Sequence, residues 1–590
     1  MLTRWGRDLD RAHPLPEHPR PQLVREGWSS LNGPWQHAFT ADDEPPVQYD
    51  GPITVPFSPE TRLSGSGRQL QPDERLWYRR EVEVAPPEHG GRVLLHFGAV
   101  DQRCTVWVDG TRVGGHVGGY LPFTLDVTEA LAEGDRHELV VRVRDVSETG
   151  WHARGKQRLD RGEIWYTAQS GIWQTVWLEV VPAAYVADLA LVPDLDHDLL
   201  LVTVEPGGAG PADAPATATV VVRAGDAEVA RADVPVGTPA PLPLPGARRW
   251  SPEDPFLHDV EVTYGDDRVT SYAGMRSVGV GTDADGHRRL LLNGAPYPHV
   301  GLLDQGYWPE SLLTPPSDAA IVSELELVRS LGFTVLRKHA KVEPLRWYHH
   351  CDRLGLLVWQ DVVNGGERYH PRAVHRAETE RRLPDRLRRV YGRSSRRGRR
   401  EFLGEVDETV RLLRSAPSVV VWTPFNEGWG QFDANRVARR MARLDPTRLV
   451  LQASGWVDQG GGDLRGYHSY LRHFTMPRRR RGRAGRRPVV LSEYGGYALL
   501  VPGHSWGSHE FGYRGFGSAE ELTEALVELH DAMSAEAAAG LAATVYTQLT
   551  DVEDEVNGLL TWDREVLKVP AERLREITAS LRAAMTGPAS

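Results

Sequence analysis

Two carboxylates, Glu427 and Glu493, are the residues whose positions best suit them to chemistry. Residues 419–422 are a run of strand-forming, mostly β-branched residues that leads to Asn426-Glu427, and residues 489–491 are a second run that leads to Glu493. Such runs predict strands that are buried on both faces. Because a (β/α)₈ barrel keeps its catalytic groups at the carboxyl ends of its strands, we expect the two carboxylates to share one catalytic face.

This pair of carboxylates is what hydrolysis of a glycosidic bond requires. The leaving oxygen needs a proton and the anomeric carbon needs electron density, and two carboxyl groups can divide these tasks. A single Glu at a strand end is more often a salt-bridged surface group. The two stretches together, in the contexts WTPFNEGWG and LSEYGG, argue against that interpretation.

The elements that would position the pair are predicted over residues 279–590, where strands alternate with helices. Ser317 predicts the start of a helix and Gly332 predicts its end. Residues 334–336 predict the next strand, which delivers Arg337 at its end. The alternation gives roughly eight such units and therefore predicts one parallel barrel.

The preceding residues form two β-rich parts. Residues 1–182 contain many short strands with Gly and Pro turns, including a hairpin signal at Asp109-Gly110 and a closing strand at 172–181. This pattern predicts a β-sandwich or jelly roll. In residues 183–278, Pro, Ala, Gly and Val dominate and helical periodicity is absent. We expect a small immunoglobulin-like sandwich there, which braces its neighbours.

Three segments carry a resemblance to a known family: WSSLNGPWQHAF (residues 28–39), WVDGTRVGGHVGGYLPFTLDVT (107–128) and SGIWQTVWLE (170–179). They resemble the amino-terminal sugar-binding domain of glycoside hydrolase family 2, which includes β-galactosidases, β-glucuronidases and β-mannosidases. The resemblance continues through the whole chain. It implies a jelly-roll sugar-binding domain, an immunoglobulin-like β-sandwich and a catalytic (β/α)₈ TIM barrel.

The resemblance also implies roles for the carboxylates. In this clan the acid/base follows strand four, after an Asn, and the nucleophile ends strand seven, so Glu427 matches the acid/base and Glu493 the nucleophile. Asn426 matches the residue that hydrogen-bonds the sugar 2-hydroxyl. Family 2 enzymes retain anomeric configuration through a covalent glycosyl-enzyme, which predicts carboxyl groups about 5–5.5 Å apart.

Further residues at the predicted strand ends are candidates for substrate contacts. Arg337 matches a family arginine that would keep Glu493 ionised. His339 departs from the commoner Arg-x-x-His spacing, so a structural His is an equal alternative. Tyr470 matches a Tyr that contacts the nucleophile, and Trp562 is a candidate stacking platform. The remaining candidates for contacts with sugar hydroxyls are Asp304, Asp361 and His468.

Two resemblances bear on which sugar the enzyme would bind. β-Glucuronidases carry an Asn-x-Lys pair before a Gly, whereas Glu555, Val556 and Asn557 precede Gly558 here, which favours a neutral terminal sugar as in a β-galactosidase. The segment 301–318 resembles a less-studied branch whose substrates include furanosides. A β-galactofuranosidase, an α-L-arabinofuranosidase and a β-glucuronidase are therefore the alternatives. The aromatic loop 503–516 is expected to be a pocket wall or a packed cap.

Composition limits the other classes of function. The formal net charge of -11 disfavours a general nucleic-acid partner, and no apolar run is long enough to span a membrane. No His/Cys cluster has metal-ligand spacing, so neither a metal nor another cofactor is expected. The two cysteines, Cys104 and Cys351, fall in different predicted parts, so no disulfide is expected. The start of the chain carries no secretory signal, so a cytoplasmic enzyme is expected, and a homo-oligomer is left open.

Two arginine-rich inserts, 381–400 and 478–487, support the rival interpretations. The second insert could be a nucleic-acid patch, which predicts steeply salt-dependent binding. A solvated loop is preferred, although the first insert could face the substrate. A further rival, a non-catalytic carbohydrate-binding protein on a hydrolase scaffold, predicts the loss of one catalytic Glu, and both are present.

Overall fold

The fold is that of a computed structural model, which describes residues 1–87, 90–131, 134–208, 214–370, 384–477, 487–507 and 509–586. Residues 381–383 of the first arginine-rich insert and 478–486 of the second lie outside the described residues. Two β-rich parts precede a sheet of parallel strands with helices around it, which confirms the predicted fold class. The boundaries at residues 182 and 278 stay predictions.

The first part is a sandwich of two antiparallel sheets. The predicted hairpin at Asp109-Gly110 is present, with both residues at positive φ between paired strands. Strand Arg136–Arg144 alternates buried and exposed residues, as expected when one face covers a core. One sheet contains Trp28–Ser30, Val176–Val181, Arg92–Phe97 and Phe123–Asp126, and the other contains Gly51–Val55, Gly33–Thr40, Arg75–Glu83, Arg136–Arg144, Arg103–Val108 and Thr111–Val117.

The closing strand of this sandwich differs from the prediction. A continuous strand over 172–181 was expected, but the structure breaks it into Gly171–Ile172 and Val176–Val181. The break lets the fully buried Trp173 turn away from the sandwich core and pack against the barrel, so the interface between the two parts overrides the strand pattern.

The middle part is a second, smaller sandwich of antiparallel strands with its own aliphatic core. Its three-stranded sheet contains Tyr185–Asp194, Leu199–Gly207 and Ala240–Pro243, and its four-stranded sheet contains Ala227–Pro235, Thr217–Ala224, His258–Tyr264 and Asp267–Ala273. The strands Val278–Thr282, Arg288–Leu292 and Ala295–Pro296 then lead into the barrel. The two-stranded pairs are Gln157–Arg158 with Tyr166–Thr167, Val100–Asp101 with Gly171–Ile172, and Tyr497–Ala498 with Arg514–Gly515.

The barrel strands pair in parallel, and the first strand also pairs with the last. Their order is that of a closed barrel whose hydrogen-bond ladder is interrupted between the fifth and sixth strands. In chain order the barrel strands are His299–Asp304, Val335–Lys338, Leu357–Asp361, Val419–Thr423, Leu449–Val450, Arg465–Ser469, Val489–Gly495 and Leu541–Thr547.

Helices cover the outside of the barrel. Ser317 caps the first of these helices by accepting a hydrogen bond from Ala320 N, as its sequence predicted. The described α-helices are Arg4–Arg7, Asp318–Ser330, Leu345–Leu354, Arg396–Leu413, Ala434–Leu444, Ala519–Ala538 and Ala571–Thr586, with 3₁₀ turns at Thr128–Leu131 and Ser147–Thr149. None of the helices in the described ranges is long and apolar enough to cross a bilayer.

The barrel strands are buried on both faces, as their composition predicted. Every residue of Val419–Thr423 is buried. Trp422 packs with the helices outside, whereas Val421 packs inside with Val335 and Val545 from other strands. The strand therefore delivers the residues that follow it to the catalytic face with little freedom. Cys104 and Cys351 are both free and buried, which confirms that they form no disulfide.

Candidate active site

Glu427 lies on a tight turn after strand Val419–Thr423. Its backbone has φ of +52°, and its N–H donates to Ser454 O at 2.9 Å, which ties the turn to the segment after the fifth strand. Gly430 has φ of +60°, and a Cβ there would lie 2.3 Å from Asn364 Oδ1. Only glycine fits this turn, which fixes the direction of the Glu427 side chain.

Glu493 lies within the seventh barrel strand, Val489–Gly495, and is 5% exposed. One of its oxygens accepts a hydrogen bond from Arg337 Nη1 at 2.7 Å. The other accepts a hydrogen bond from the hydroxyl of Tyr470. Each oxygen of the carboxylate therefore accepts one hydrogen bond before any substrate arrives.

His468 lies between the two carboxylates. Its Nδ1 is 2.7 Å from a Glu427 oxygen, and its Nε2 is 3.5 Å from a Glu493 oxygen. Nε2 also lies 2.7 Å from Ser454 Oγ, which donates to Ser492 Oγ at 2.8 Å. One carboxylate oxygen of Glu427, one ring nitrogen of His468 and one carboxylate oxygen of Glu493 all lie within 4.8 Å of one another. The two carboxyl groups are therefore close neighbours.

Arg337 is fully buried and organises the floor of the site. It forms a bidentate salt bridge with Asp361, at 3.1 and 2.8 Å. Its Nη2 also donates to Asn426 Oδ1 at 2.8 Å. His339 Nδ1 is 2.7 Å from the same Asp361. This geometry brings Asp361, Asn426 and Glu493 into one network around a single guanidinium.

The electrostatics of this network favour an ionised Glu493. Burial alone would raise the pKa of Glu493, but the charges of His468 and Arg337 outweigh it and hold that pKa well below its ordinary value. Burial and the neighbouring Glu493 raise the pKa of Tyr470, so its hydroxyl stays a donor. Burial lowers the pKa of His339, which favours its neutral form.

Two groups of side chains in the described ranges have the spacing that a metal ion needs: Glu427, His468 and Glu493, and separately Asp283, Asp285 and His287. In the first group, however, Arg337 and Tyr470 already donate to Glu493. Side chains of the protein therefore already donate to both oxygens of this carboxylate.

Two of the sequence candidates lie apart from this cluster. Asp304 accepts from Lys338 Nζ and from Gly306 N, and so belongs to a buried charge network with Glu343. Trp562 has no exposed surface and packs edge-on against Trp506, so no face of its ring is open to a sugar. The structure brings together the other eight candidates: Glu427, Glu493, Asn426, Arg337, His339, Asp361, His468 and Tyr470.

Several residues at the site were missed by sequence reasoning. Ser454 and Ser492 are fully buried, but nothing in the sequence around them marks them as site residues. The loop 503–516 does contribute a wall: Tyr513 stacks on Tyr470 with ring centroids 3.8 Å apart. In the first insert, Arg393 is buried and donates to Gly430 O at 2.9 Å, so this residue braces the turn that carries Glu427.

Lys156 is the other missed residue, and it comes from the first sandwich. It lines a small cavity beside His339, Asp361 and Asn426. The loop that carries it docks on the barrel through hydrogen bonds from Arg154 N and Gly155 N to Asn364 O, at 3.0 and 2.9 Å. No strand-end argument could find it, because it approaches the site from another part of the chain.

The comparisons with known proteins identify the family and the fold. The family described as "Glycosyl hydrolases family 2, sugar binding domain" matches residues 48–182, and "Glycosyl hydrolases family 2, TIM barrel domain" matches residues 317–566. The β-D-glucuronidase structure from Dictyoglomus thermophilum has a TM-score of 0.74 and 18% identity, with 95% of this chain and 98% of that chain covered.

Curated relatives carry two kinds of name. A β-glucuronidase of Chlorocebus aethiops is 24% identical over 493 residues, which is 72% of this chain and 69% of that protein. A β-galactosidase of Thermoanaerobacter pseudethanolicus is 24% identical over 310 residues, which is 48% of this chain and 39% of that protein. This chain thus spans well under half the length of that β-galactosidase.

Proposed function

This chain belongs to glycosyl hydrolase family 2 and is a glycosidase, and we propose that it is a retaining exo-glycosidase that removes a terminal sugar by double displacement. The observation that supports this proposal is the spacing of its carboxylates. One side-chain oxygen of Glu427 lies within 4.8 Å of one side-chain oxygen of Glu493. Retaining enzymes hold their carboxyl groups about 5–5.5 Å apart, whereas inverting enzymes need about 6.5–9.5 Å to admit a water.

In the first step, Glu493 attacks the anomeric carbon. Arg337 and Tyr470 hold the carboxylate ionised and aimed, and Asn426 is placed to hydrogen-bond the 2-hydroxyl as charge develops on the sugar ring. Glu427 gives its proton to the leaving oxygen, so the bond to the aglycone breaks as the bond to Glu493 forms. The product of this step is a covalent glycosyl-enzyme.

In the second step, water releases the sugar. Glu427, now ionised, takes a proton from the water, whose oxygen attacks the anomeric carbon and displaces Glu493. His468 contacts the Glu427 carboxylate at 2.7 Å and therefore keeps it in one position through both steps. No further group is needed to balance the protons.

The barrel loop before Gly558 does not by itself determine which sugar is bound. Glu555 is buried, and its oxygens accept hydrogen bonds from Tyr166 and Asn557, so this loop offers no cation to a sugar acid. The loop by itself favours a neutral sugar, as in a β-galactosidase, with furanosides as alternatives. A β-glucuronide would require a cation from elsewhere in the chain.

The proposed function is tested by following the anomer of the released sugar. A panel of nitrophenyl glycosides identifies a cleaved substrate, and proton NMR in the first minutes of that reaction then shows the configuration of the product. We expect a β-glycoside to give the β-sugar first, with the α-anomer growing in later by mutarotation. The α-sugar as first product would contradict the double displacement.

A further inference from the structure

Lysine use in this chain singles out one residue. Of the 69 basic residues only four are lysines: Lys156, Lys338, Lys341 and Lys568. All four are buried, with exposed fractions of 8%, 1%, 1% and 2%. Exposed cations are therefore supplied by arginine, and lysine is kept for interior positions that need a compact point charge.

Three of these lysines have an obvious reason to be buried. Lys338 is paired with Asp304 and Glu343, Lys341 is 2.7 Å from Glu343, and Lys568 is paired with Asp551. In the described ranges, Lys156 is the one lysine without a carboxylate within ion-pair distance. Its Nζ lies 5.4 Å from the centre of the Tyr166 ring, and its charge helps to lower the pKa of the nearby Glu493. Because no carboxylate of the fold pairs with it directly, this buried ammonium can bind an anion that the substrate brings.

The cavity that Lys156 lines is rich in donors without partners. Asn364 Nδ2 and Trp429 Nε1 are buried and have no hydrogen-bond partner, and both residues line the same cavity. The orientation of the Asn364 amide is fixed, because its Oδ1 accepts from Arg393 Nη2 and from Gly365 N. Three donor side chains, one of them charged, therefore surround one space.

The acid in the cavity wall does not satisfy these donors. Asp361 accepts from Arg337 Nε and Nη2 and contacts His339 Nδ1, so its oxygens are committed to those groups. The loop around Lys156 adds further positive charge. Arg158 stacks 3.8 Å from the ring of Trp165, and burial together with the charge of Arg154 lowers the pKa of Arg158.

The size and place of the cavity indicate which part of a substrate would enter it. Its volume is about 20 Å³, enough for one substituent but not for a sugar ring. Asn426 and Asp361 line it, and Arg337 links both to Glu493. The substituent therefore belongs to the sugar bound at the catalytic pair and not to the aglycone.

We propose that Lys156, with Asn364 and Trp429, is the specificity site of this enzyme and binds a carboxylate carried by the sugar that Glu493 attacks. The inference rests on the proposed function, because it assumes that a sugar occupies this position. The substrate is then a glycoside of a uronic acid. Its acid group is recognised by a lysine that the first sandwich delivers, in place of a cation on the barrel loop before Gly558.

The test compares matched sugars that differ only at C6. Nitrophenyl β-D-glucuronide is paired with β-D-glucoside, and β-D-galacturonide with β-D-galactoside, for the wild type and Lys156→Gln. We expect the wild type to prefer an acidic member. Lys156→Gln should lower kcat/KM for that member about 10–100-fold while changing its neutral partner about 2-fold or less, because one charge-assisted hydrogen bond is lost.

Arg158→Gln is the matched control, because it removes an equal charge from the same loop at a residue that does not line the cavity. It should keep the preference for the acidic member. Calorimetric titration of the wild type and Lys156→Gln with free D-glucuronate and D-galacturonate adds a readout without turnover. Binding of at least one of these acids should weaken about 10-fold or more in the variant.

The outcomes separate this proposal from the one on which it rests. Turnover of a neutral member in preference to its acidic partner would overturn the role of Lys156 and leave the retaining glycosidase standing. Equal losses on both members of a pair in Lys156→Gln would also overturn it. Acid binding that depends on Lys156, without turnover of any member, would support the site and count against the proposed function.

Discussion

Arg337 is the residue on which the geometry of the site depends most. Its guanidinium donates to Asp361, Glu493, Asn426 and the carbonyl of Ser492, and it has no exposed surface. A lysine could not reproduce this arrangement, because an ammonium lacks the planar fork of donors. One buried cation therefore sets both the charge state of Glu493 and the position of Asn426.

We predict that Arg337→Met shifts the pH dependence of catalysis. The wild-type pKa of Glu493 lies below its ordinary value, so Glu493 is ionised and active down to acid pH. Without the Arg337 charge this pKa rises, so the acid limb of the kcat/KM profile should move to higher pH. At the optimum, kcat/KM should fall about 100-fold or more, because a buried pair loses its partner.

Arg440→Met is the matched control for that substitution. Arg440 also forms a bidentate salt bridge with an aspartate, Asp407. This pair lies on the outer helices, and 41% of the Arg440 side chain is exposed. We expect its pH profile to be unchanged. An unmoved acid limb in Arg337→Met would contradict the role given to Arg337.

Single residues were predictable where the local pattern placed them. Arg337, Asp361 and Glu493 lie towards the ends of recognisable strands, and Glu427 follows another. The structure brings these four residues together. Trp562 also follows a strand, but packing covers its ring completely. Whether a side chain at a strand end faces the cavity depends on tertiary contacts, which one sequence does not specify.

At the scale of elements, the site depends on how one loop of the first sandwich docks on the barrel. Ala153 pairs with Gly365 in an isolated bridge, and the backbone of the next two residues donates to Asn364 O. Gly365 has no room for a side chain, because a Cβ would lie 1.9 Å from His152 O. The loop that carries Lys156 can therefore lie this close only against glycine.

We predict that Gly365→Ala separates the loop from the barrel. The extra methyl group must displace the His152 backbone, which should cost about 1–3 kcal/mol in the free energy of unfolding and lower kcat/KM more than 10-fold. Chemical denaturation and steady-state kinetics measure the two effects. Activity at the wild-type level would show that the docked loop is not part of the site.

Gly279→Ala is the control for this experiment. Gly279 lies in strand Val278–Thr282, and a Cβ there would meet no atom within 4 Å. We expect a change of about 0.5 kcal/mol or less in the free energy of unfolding and unchanged kinetics.

Elements were predictable where hydrophobic runs or caps marked them. Ser317 and Gly332 limit the helix Asp318–Ser330 as predicted, since capping is a local property. The fifth barrel strand is only Leu449–Val450, and the chain beyond it turns towards the site, where Ser454 O accepts a hydrogen bond from Glu427 N. The end of a strand near the site is therefore determined by tertiary contacts, which the local sequence pattern does not show.

At the scale of the whole molecule, the first sandwich and the barrel share one apolar cluster. Tyr120 and Trp173 of the sandwich pack with Tyr307, Leu313 and Trp562 of the barrel. Trp173 Nε1 also donates to Gly119 O at 2.7 Å. Ala153 and Tyr166, which flank Lys156 in the chain, belong to the same cluster, so the stability of the interface and the shape of the site are coupled.

We predict that Trp173→Ala lowers stability and activity together. Removing a fully buried Trp should cost about 3–5 kcal/mol in the free energy of unfolding, by leaving a cavity at the interface. Trp506→Ala, at a residue that is 39% exposed, should cost about 0.5 kcal/mol or less. Full activity in Trp173→Ala at a temperature where it stays folded would contradict the coupling.

The central claim, that Glu493 is the nucleophile and Glu427 the acid/base of a retaining glycosidase, is tested most directly by azide rescue. The substrate is the nitrophenyl β-glycoside that the wild type cleaves fastest, because its leaving group needs little help from an acid. In Glu427→Ala, azide needs no general base to attack the glycosyl-enzyme, so we predict that it restores turnover and yields the β-glycosyl azide. Glu493→Ala should form no β-azide. A β-azide from Glu493→Ala, or an α-azide from Glu427→Ala, would contradict the assignment.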